Sequence, residues 1–420
     1  MNNAAEPPSL TFARPILSEI LRRLAEPRLT LQFLTGPRQC GKTTLARQAM
    51  SKLNLPSRYA TADGPLPRPE AWIVSEWEAG RQLARENGGQ GALLVLDEVQ
   101  KVPQWSEIVK KLWDEDTWNG LPLRVLLLGS TPWLLQKGMS ESLAGRFEVI
   151  HVPHWSYVEM TEAFGWDLDR YLYFGGYPGA ARFVPDRNRW SEYILESIVE
   201  TTVSRDVLLI SRIEKPALIR QLLHLGCAYS GQILSFQKMR GRLPDAGSIT
   251  TLQHYLELLH GAGLVTGLSK YSGSQASIRA SIPKLLVLNT ALMTATSTLS
   301  FEEARADRTF WGRLVESAVG AHLVNNLPHP RGEVYYWREG NREVDFVVAS
   351  RKSVIALEVK SGVETREHEG LSSFRERYPT ARLLLAGRGG TTVESVLRAD
   401  PGDWLRPGLP AGAPHHGEIR

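Results

Sequence analysis

An eight-residue segment near the beginning of the chain has the composition of a phosphate-binding loop. Residues 36–43 read GPRQCGKT and match the pattern G-x-x-x-x-G-K-[ST], between an apolar strand and a helical segment. Glycines let such a loop curl so that its backbone N–H groups and the following helix N-terminus face phosphate oxygens. The lysine would neutralise the β- and γ-phosphates of ATP, and the first threonine would offer its hydroxyl to Mg²⁺. The residues predicted to bind the nucleotide are Gly36, Pro37, Arg38, Gln39, Cys40, Gly41, Lys42, Thr43 and Thr44, with Thr43 also a metal ligand.

A second acidic motif ends an apolar run further along the chain. Residues 93–98 read LLVLDE, which predicts a buried strand that delivers Asp97 to the magnesium shell and Glu98 to the attacking water. The alternative is a chance glycine-rich turn followed by an acidic strand end. Because the two motifs occur in the order that an ATPase core requires, they favour ATP and Mg²⁺ as cofactors.

Two further polar residues are candidates for the same site. Ser130 follows the apolar strand VLLLG, where a polar sensor of the γ-phosphate is expected, so it is a further candidate for nucleotide contact. Arg146 precedes another strand, and we predict that it reaches the nucleotide of a neighbouring subunit to stabilise transition-state charge. An ordinary surface arginine at a helix end is the alternative for Arg146, because exposed arginines are common.

The last third of the chain carries a pattern of restriction-endonuclease-like nucleases. Asp345 lies in one predicted strand, Glu358 and Lys360 lie in the next, and Glu316 lies on the preceding helix. Residues two apart on a strand point to one face, so Glu358 and Lys360 should converge with Asp345. The carboxylates of Asp345 and Glu358 would hold Mg²⁺ against a phosphodiester, Lys360 would orient water, and Glu316 would complete the catalytic set. The alternative is a degenerate domain that binds DNA without cutting it.

The middle of the chain predicts a winged helix-turn-helix. Residues 215–270 read as three helices followed by a strand pair, with Ser248 as a natural N-cap of the third helix. Lys238, Arg240 and Arg242 cluster just before that helix, where they would meet a DNA backbone. The third helix carries few basic residues, so a winged helix that serves only packing is equally compatible with the sequence.

The surrounding elements predict an α/β protein of three structured parts. Five apolar strands alternate with helices in the first part, which indicates a parallel sheet covered on both faces. We therefore predict a P-loop domain, a helical winged-helix region and an α/β nuclease-like domain between two flexible ends. The boundaries are 1–11 for a disordered N-terminus, 12–154 for the P-loop core, 155–300 for the helical region, 301–400 for the nuclease-like domain and 401–420 for a flexible tail.

Composition excludes several classes of protein. Of the 420 residues, 42% are hydrophobic and 22% are charged, which is typical of globular proteins. Cys40 and Cys227 are the two cysteines and lie far apart, so neither a disulfide framework nor a cysteine zinc site is expected. No apolar run approaches the roughly 20 residues that cross a bilayer, so we expect a cytoplasmic protein without membrane contact. The net charge of +4 is too small to demand nucleic acid.

The ordered motifs resemble one known group nearly from end to end. GPRQCGKTTL, LLVLDEVQKVPQW, LLLGST with SLAGRF, and YLYFGGYPGA followed by TTVSRDV are similar to signatures of AAA-type ATP-binding proteins of bacteria and archaea. These proteins carry a conserved C-terminal domain of unknown function. The resemblance implies an AAA-type P-loop ATPase followed by a winged helix and a restriction-endonuclease-like fold.

The combined pattern predicts an ATP-hydrolysing protein that acts on DNA, as a homo-oligomer and with a possible magnesium-dependent endonuclease activity. One alternative is a nucleotide-controlled switch that binds DNA or a partner without cutting. Another is a protein partner, such as a toxin or defence component, with basic residues that only aid solubility.

Overall fold

The computed structural model describes residues 12–129, 143–207, 213, 215–272, 281–327, 332–351, 353–360 and 369–406. The predicted disordered segment 1–11 lies outside them. The chain divides into two compact units, Met1–Pro153 and His154–Arg420. No helix among the described residues is long and apolar enough to span a bilayer.

The first unit is built on a five-stranded parallel sheet in the order β2-β3-β4-β1-β5. All five strands predicted from the sequence are present. Their apolar runs are long enough to be buried on both faces, as in β3, where every residue is buried. The strands are β1 (Leu31–Thr35), β2 (Ser57–Thr61), β3 (Ala92–Asp97), β4 (Leu123–Gly129) and β5 (Phe147–His151).

Helices cover both faces of this sheet. Consecutive strand residues such as Leu93 and Leu94 point to opposite faces and join two separate clusters of buried side chains. Helices α1 and α2 pack on the Leu93 side, and α3 and α4 pack on the Leu94 side. The helices are α1 (Ile16–Ala25), α2 (Lys42–Lys52), α3 (Glu70–Glu86) and α4 (Trp105–Trp118), with a 3₁₀ turn at Val99–Lys101.

The second unit begins with a helical segment. Its helices are α5 (Tyr157–Phe164), α6 (Leu168–Phe174), a 3₁₀ helix (Pro178–Phe183), α7 (Arg187–Glu192) and two stretches of π-helix (Tyr193–Glu200, Thr202–Val207). The order predicted for a winged helix follows, because three helices precede an antiparallel strand pair. These elements are α8 (Pro216–Ala228), α9 (Phe236–Arg242), α10 (Ile249–Gly261), β6 (Val265–Leu268) and β7 (Lys284–Val287).

A four-stranded sheet in the order β11-β10-β9-β8 completes the second unit. β10 pairs with β11 in parallel, whereas β8, β9 and β10 are antiparallel neighbours. The remaining elements are α11 (Ala291–Ala295), α12 (Phe301–Ala306), α13 (Arg308–Asn326), β8 (Glu333–Glu339), β9 (Arg342–Ala349), β10 (Val354–Lys360), α14 (Glu369–Arg377), β11 (Arg382–Gly387), α15 (Val393–Arg398) and α16 (Pro401–Trp404). The α/β fold class with a separate C-terminal sheet is therefore confirmed.

The parts on either side of the boundary predicted near residue 300 pack together. Leu268 and Leu286 of the strand pair share one buried cluster with Val319 and Phe346 of the C-terminal part. The segment predicted as a flexible tail from residue 401 begins with helix α16, whose Trp404 is buried in the same cluster. Residues 407–420 of that predicted tail lie outside the described part of the chain.

Candidate nucleotide site and acidic cluster

The phosphate-binding loop connects β1 to α2 through a backbone that glycine makes possible. A Cβ at Gly36 would collide with the carbonyl oxygen of Val152, because the loop passes close to the chain that leaves β5. Gly41 has a φ of 93° and a left-handed conformation, immediately before the helix begins at Lys42. The turn therefore delivers the first N–H groups of α2 to the concave side of the loop, where phosphate oxygens bind.

Lys42 lies inside this loop. Its side chain is buried, and its ammonium donates hydrogen bonds to the carbonyl oxygens of Gly36 and Pro37, both at 2.8 Å. The third N–H donor of the ammonium faces Cys40 Sγ at 3.8 Å. The lysine is thus held at the base of the loop with its charge directed at the phosphate-binding region.

Asp97 joins the two predicted motifs directly. The Thr43 hydroxyl donates to its Oδ2 at 2.8 Å, and the Tyr59 hydroxyl donates to the same oxygen at 2.8 Å. Burial, with the added charge of Asp97, raises the pKa of Tyr59 to about 12, so the phenol remains a donor. A hydroxyl and a carboxylate side by side are the oxygen ligands that Mg²⁺ prefers. The residues present therefore fit the predicted magnesium ion.

Glu98 follows Asp97 in a strained backbone position. Its φ of 55° and ψ of 34° are left-handed, which is unfavourable for a residue with a Cβ. The Gln100 amide donates to Glu98 Oε2 at 2.6 Å and fixes the carboxylate. Strain of this kind concentrates at functional sites, where the surrounding structure maintains it.

Two residues that contact this site lie outside the motifs found in the sequence. Tyr59 is on β2, beside the strand that ends in Asp97, and a tyrosine on a predicted strand gives no signal of such a contact. Arg14 precedes α1 and is almost fully buried, and its guanidinium donates to the carbonyl oxygens of Cys40 at 2.7 Å and Pro153 at 3.1 Å. Arg14 therefore ties the phosphate-binding loop to both ends of the first unit.

The remaining two candidates of the first unit have different positions. Ser130 lies outside the described residues, but its strand, β4, lies between β1 and β3, and its last residue, Gly129, is paired with Thr35. Arg146 lies just before β5, where it forms a two-pronged ion pair with Asp114, Nε–Oδ1 at 2.7 Å and Nη2–Oδ2 at 3.0 Å. Arg146 is therefore paired with a residue of its own subunit that lies within α4, and its role toward a neighbouring nucleotide stays a prediction.

The second unit brings two of the predicted nuclease residues, Glu316 and Asp345, into an acidic cluster around a lysine that the motif did not include. Lys284 is buried to 1% exposure at the start of β7, and its ammonium lies 2.7 Å from Glu316 Oε1, 3.2 Å from Glu343 Oε1 and 3.4 Å from Asp345 Oδ1. Glu343 is a second residue that sequence reasoning missed. Asp345 also accepts a hydrogen bond from the backbone N–H of Val359 at 2.8 Å.

The charges of this cluster affect one another. Burial and the neighbouring Asp345 carboxylate raise the pKa of Glu316 to about 7, although Lys284 lowers it. Burial would lower the pKa of Lys284, but Glu316, Asp345 and Glu343 outweigh it and hold this pKa above its usual range. Because three carboxylates share one ammonium, Lys284 stays charged while Glu316 loses its proton late.

Glu358 and Lys360 pair with each other on β10. Lys360 Nζ lies 2.9 Å from Glu358 Oε1, and the buried Oε2 of Glu358 has no hydrogen-bond partner among the described residues. Asp345 and Glu358 were predicted as metal ligands. Nevertheless, no group of three or more His, Cys, Asp or Glu side chains in the described ranges could hold a metal ion. Asp345, one of the two predicted ligands, contacts the Lys284 ammonium, so the donor set around this lysine fits the predicted magnesium ion poorly.

The basic residues of the middle region lie on α9. Lys238, Arg240 and Arg242 are all exposed, whereas Met239 between them is buried. The Arg242 guanidinium stacks on the Tyr229 ring at 4.6 Å. The exposed side of α10, the helix expected to read DNA, carries Glu257 and no lysine or arginine.

The comparisons with known proteins agree with the site in the first unit. Residues 30–161 match the family model described as an AAA domain. Residues 165–303 and 311–396 match two families described only as domains of unknown function. One segment of the chain is therefore similar to AAA domains, and two others are similar to families that have no assigned role.

Related proteins have been found in mycobacteria. Uncharacterized proteins of Mycobacterium bovis and Mycobacterium tuberculosis are each 27% identical over 392 residues, which is 91% of this chain and 82% of theirs.

Similar solved structures share little sequence with this chain. The Walker-type ATPase of Pyrococcus abyssi is 15% identical, covers 68% of this chain and 95% of its own, and has a TM-score of 0.45. DnaA from Aquifex aeolicus with AMPPCP is 16% identical over 62% and 93%, with a TM-score of 0.33. ORC1 from Aeropyrum pernix with DNA is 15% identical over 73% and 96%, with a TM-score of 0.30.

Proposed function

We propose that this protein hydrolyses ATP with Mg²⁺ at the phosphate-binding loop and uses the nucleotide cycle to control its interaction with DNA. The observation that supports hydrolysis most directly is the Thr43–Asp97 hydrogen bond, because it joins the two motifs at the expected metal position. Mg²⁺, when bound, would neutralise charge on the phosphate oxygens. Thr43 and Asp97 would hold it.

The chain's own residues would perform the remaining steps. Lys42 would move its ammonium toward the β- and γ-phosphates, which compete with the carbonyls of Gly36 and Pro37 for its protons. Glu98 would accept the proton of the attacking water, and Gln100 would hold the carboxylate in place. The polar residue after β4, Ser130, is proposed to contact the γ-phosphate.

This hydrolysis is tested with two substitutions. Lys42→Ala should abolish ATP binding, whereas Glu98→Gln should bind ATP with nearly wild-type affinity and lose hydrolysis by about 100-fold or more. Binding is measured with a fluorescent ATP analogue and turnover by phosphate release. Gln100→Ala is the matched control, because it removes the partner of Glu98 without removing the base and should reduce turnover only partly. Wild-type turnover in Glu98→Gln would refute its role.

The proposed action on DNA has less direct support than ATP hydrolysis. It is supported by the exposed side chains of Lys238, Arg240 and Arg242 next to a predicted winged helix. The ATPase rate of the wild type, with and without linear, nicked, forked and four-way DNA, tests it. A rate that no DNA changes would favour a protein partner.

The second candidate function is a nucleotide-controlled switch that cuts nothing. The contact of Lys284 with three carboxylates favours it over magnesium-dependent cleavage by Asp345, Glu358 and Lys360. Both candidates share the ATPase and differ in the C-terminal part, and both include the homo-oligomer that a trans role of Arg146 requires. A cytoplasmic location is part of both.

A further inference from the structure

Lys284 is among the most deeply buried charged side chains in the described part of the second unit. A buried ammonium is unfavourable unless it is paired and hydrogen-bonded. Lysine has three N–H donors, and three carboxylates, those of Glu316, Glu343 and Asp345, lie within 3.4 Å of Nζ. The ammonium donates hydrogen bonds to Glu343 Oε1, to Asp345 Oδ1 and to the backbone carbonyl of Asp345, and it forms an ion pair with Glu316 Oε1 at 2.7 Å. These contacts compensate for the burial of Lys284.

The same carboxylates include two that the nuclease pattern assigns to catalysis and metal binding, Glu316 and Asp345. We propose that the Lys284 ammonium occupies the position in this cluster that a divalent metal has in the nuclease pattern. The cluster is then a structural site without a metal ion, within a nuclease-like fold. The proposal concerns the second unit alone and does not depend on ATP hydrolysis.

Charge and geometry both oppose a metal beside this lysine. Mg²⁺ requires oxygen ligands at about 2.0–2.1 Å in octahedral order. A metal bound by Glu316 and Asp345 would lie close to the Lys284 ammonium, and two like charges at this distance in a buried site repel strongly. The Lys284 ammonium already supplies positive charge to these carboxylates, and it cannot dissociate because the lysine is covalently part of the chain.

A backbone turn near the start of β7 covers part of the acidic cluster. Lys284 begins the strand that follows the winged-helix region, and Leu285 donates to the Gln232 carbonyl while Gly231 donates to the Leu285 carbonyl. A Cβ at Gly231 would lie 3.3 Å from the Glu316 carboxyl group, so this turn lies directly against the carboxylate. The turn therefore covers one side of the Glu316 carboxyl group.

A β-bulge brings Asp345 to the lysine. Tyr335 pairs with Val347 and Trp337 with Val344, so Tyr336 lies opposite both Asp345 and Phe346. The extra residue changes the alternation of side chains along β9, since Val344 and Val347 join one buried cluster and Phe346 joins another. The Lys284 ammonium lies 5.3 Å from the centre of the Phe346 ring, which adds a cation–π contact.

The inference predicts which variants bind Mn²⁺. We would titrate the full chain with Mn²⁺ alone, without nucleotide, and count bound ions by electron paramagnetic resonance. Wild type, Glu358→Gln and the double variant Glu316→Gln/Asp345→Asn should bind equal numbers, because none of these carboxylates holds a metal. Lys284→Met should bind one additional Mn²⁺, and adding Asp345→Asn to it should remove that ion.

Several outcomes would overturn the proposal. One is the loss of a bound Mn²⁺ in Glu358→Gln or in the double variant relative to wild type. A second is a folded Lys284→Met protein, judged by circular dichroism, that gains no ion. A third is wild-type DNA cleavage with Mn²⁺ that Asp345→Ala and Lys360→Ala both abolish. If Lys284→Met does not fold, the comparison of wild type with Glu358→Gln still decides, since an equal count supports the proposal.

Discussion

Two hydroxyl groups converge on one oxygen of Asp97, and they come from opposite sides of the nucleotide site. Thr43 belongs to the helix after the phosphate-binding loop, and Tyr59 belongs to the neighbouring strand β2. Both hydrogen bonds hold the Asp97 carboxylate, the predicted metal ligand, in one position. Tyr59 therefore acts as a positioning residue for the carboxylate rather than as a participant in the reaction.

At Glu316 a shifted pKa makes stability depend on pH. The folded pKa of about 7 exceeds the ordinary 4.5, so the folded protein binds this proton more tightly than the unfolded chain does. The resulting stabilisation is complete below the unfolded pKa and is lost as pH rises toward the folded pKa.

We expect the stability of wild type, relative to Glu316→Gln, to fall by up to about 3 kcal/mol between about pH 5 and about pH 8. Urea unfolding of both proteins at several pH values in this range measures the difference. Gln cannot ionise, so the Glu316→Gln variant removes the proton-binding group and keeps a side chain of the same shape. A difference that stays constant across the range would contradict the raised pKa.

Residues with a motif could be assigned from the sequence, and residues whose role depends on tertiary contact could not. Lys42, Thr43 and Asp97 lie in patterns that fix their spacing, and the Thr43–Asp97 contact follows from the fold of such patterns. Arg14 contacts a residue 26 positions away, and Lys284 contacts one 59 positions away. No local pattern predicts such pairs, because they depend on how distant elements pack.

The helices and strands show the same difference between features set by local sequence and features set by tertiary contacts. The strands of both sheets were predictable because continuous apolar runs end at Gly, Asp or Ser, as β1 ends before Gly36 and β4 ends at Gly129. The bulge at Asp345 was not, since it depends on the register between β8 and β9. The short helix at Pro401–Trp404 was also missed, because Pro and Gly usually indicate a loop.

The position of strand β5 in the sheet limits which groups Arg146 can contact. Leu31 pairs with Phe147 and Thr35 pairs with His151, so Arg146 lies at the edge of the sheet where the strands begin. The phosphate-binding loop follows Thr35 at the other edge. A five-residue strand spans about 16 Å, which exceeds the reach of an arginine side chain. Arg146 is therefore too far from the nucleotide site of its own subunit to contact it, and a role in ATP hydrolysis would have to be in trans.

The ion pair with Asp114 supplies a matched control for this trans role. Arg146→Ala should reduce ATP turnover by about 10³-fold in the assembled protein while each subunit keeps its ATP affinity. Asp114→Asn breaks the same ion pair but keeps the arginine, so it should retain turnover and lose about 0–1 kcal/mol of stability. Phosphate release and ATP binding of both variants provide the test. If the two variants behave alike in turnover, Arg146 has only the structural role.

At the scale of the whole molecule, the small net charge of +4 gives no general attraction to DNA. Binding would have to come from a local patch. The basic residues of α9 form such a patch, with Lys238, Arg240 and Arg242 exposed around the buried Met239. Because α10 exposes no lysine or arginine, the contact should be mainly to phosphates and should carry little sequence preference.

Removing the charge of this patch should therefore weaken DNA binding uniformly across sequences. Lysine and arginine contacts to phosphate release counterions, and each contact adds about 0.9 to the slope of log affinity against log salt. The triple variant Lys238→Gln/Arg240→Gln/Arg242→Gln should lower that slope by up to about 3. Fluorescence anisotropy with labelled duplexes of several sequences, at a series of salt concentrations, measures both effects.

A second triple variant separates a local patch from overall charge. Arg308, Arg375 and Arg377 are exposed residues of the same unit and carry the same total charge. Replacing all three with Gln should leave the slope nearly unchanged, because α9 would still contact the phosphates. An equal loss in both triple variants would show that net charge alone attracts DNA. If wild type does not bind any duplex at moderate salt, the result would favour a protein partner over DNA.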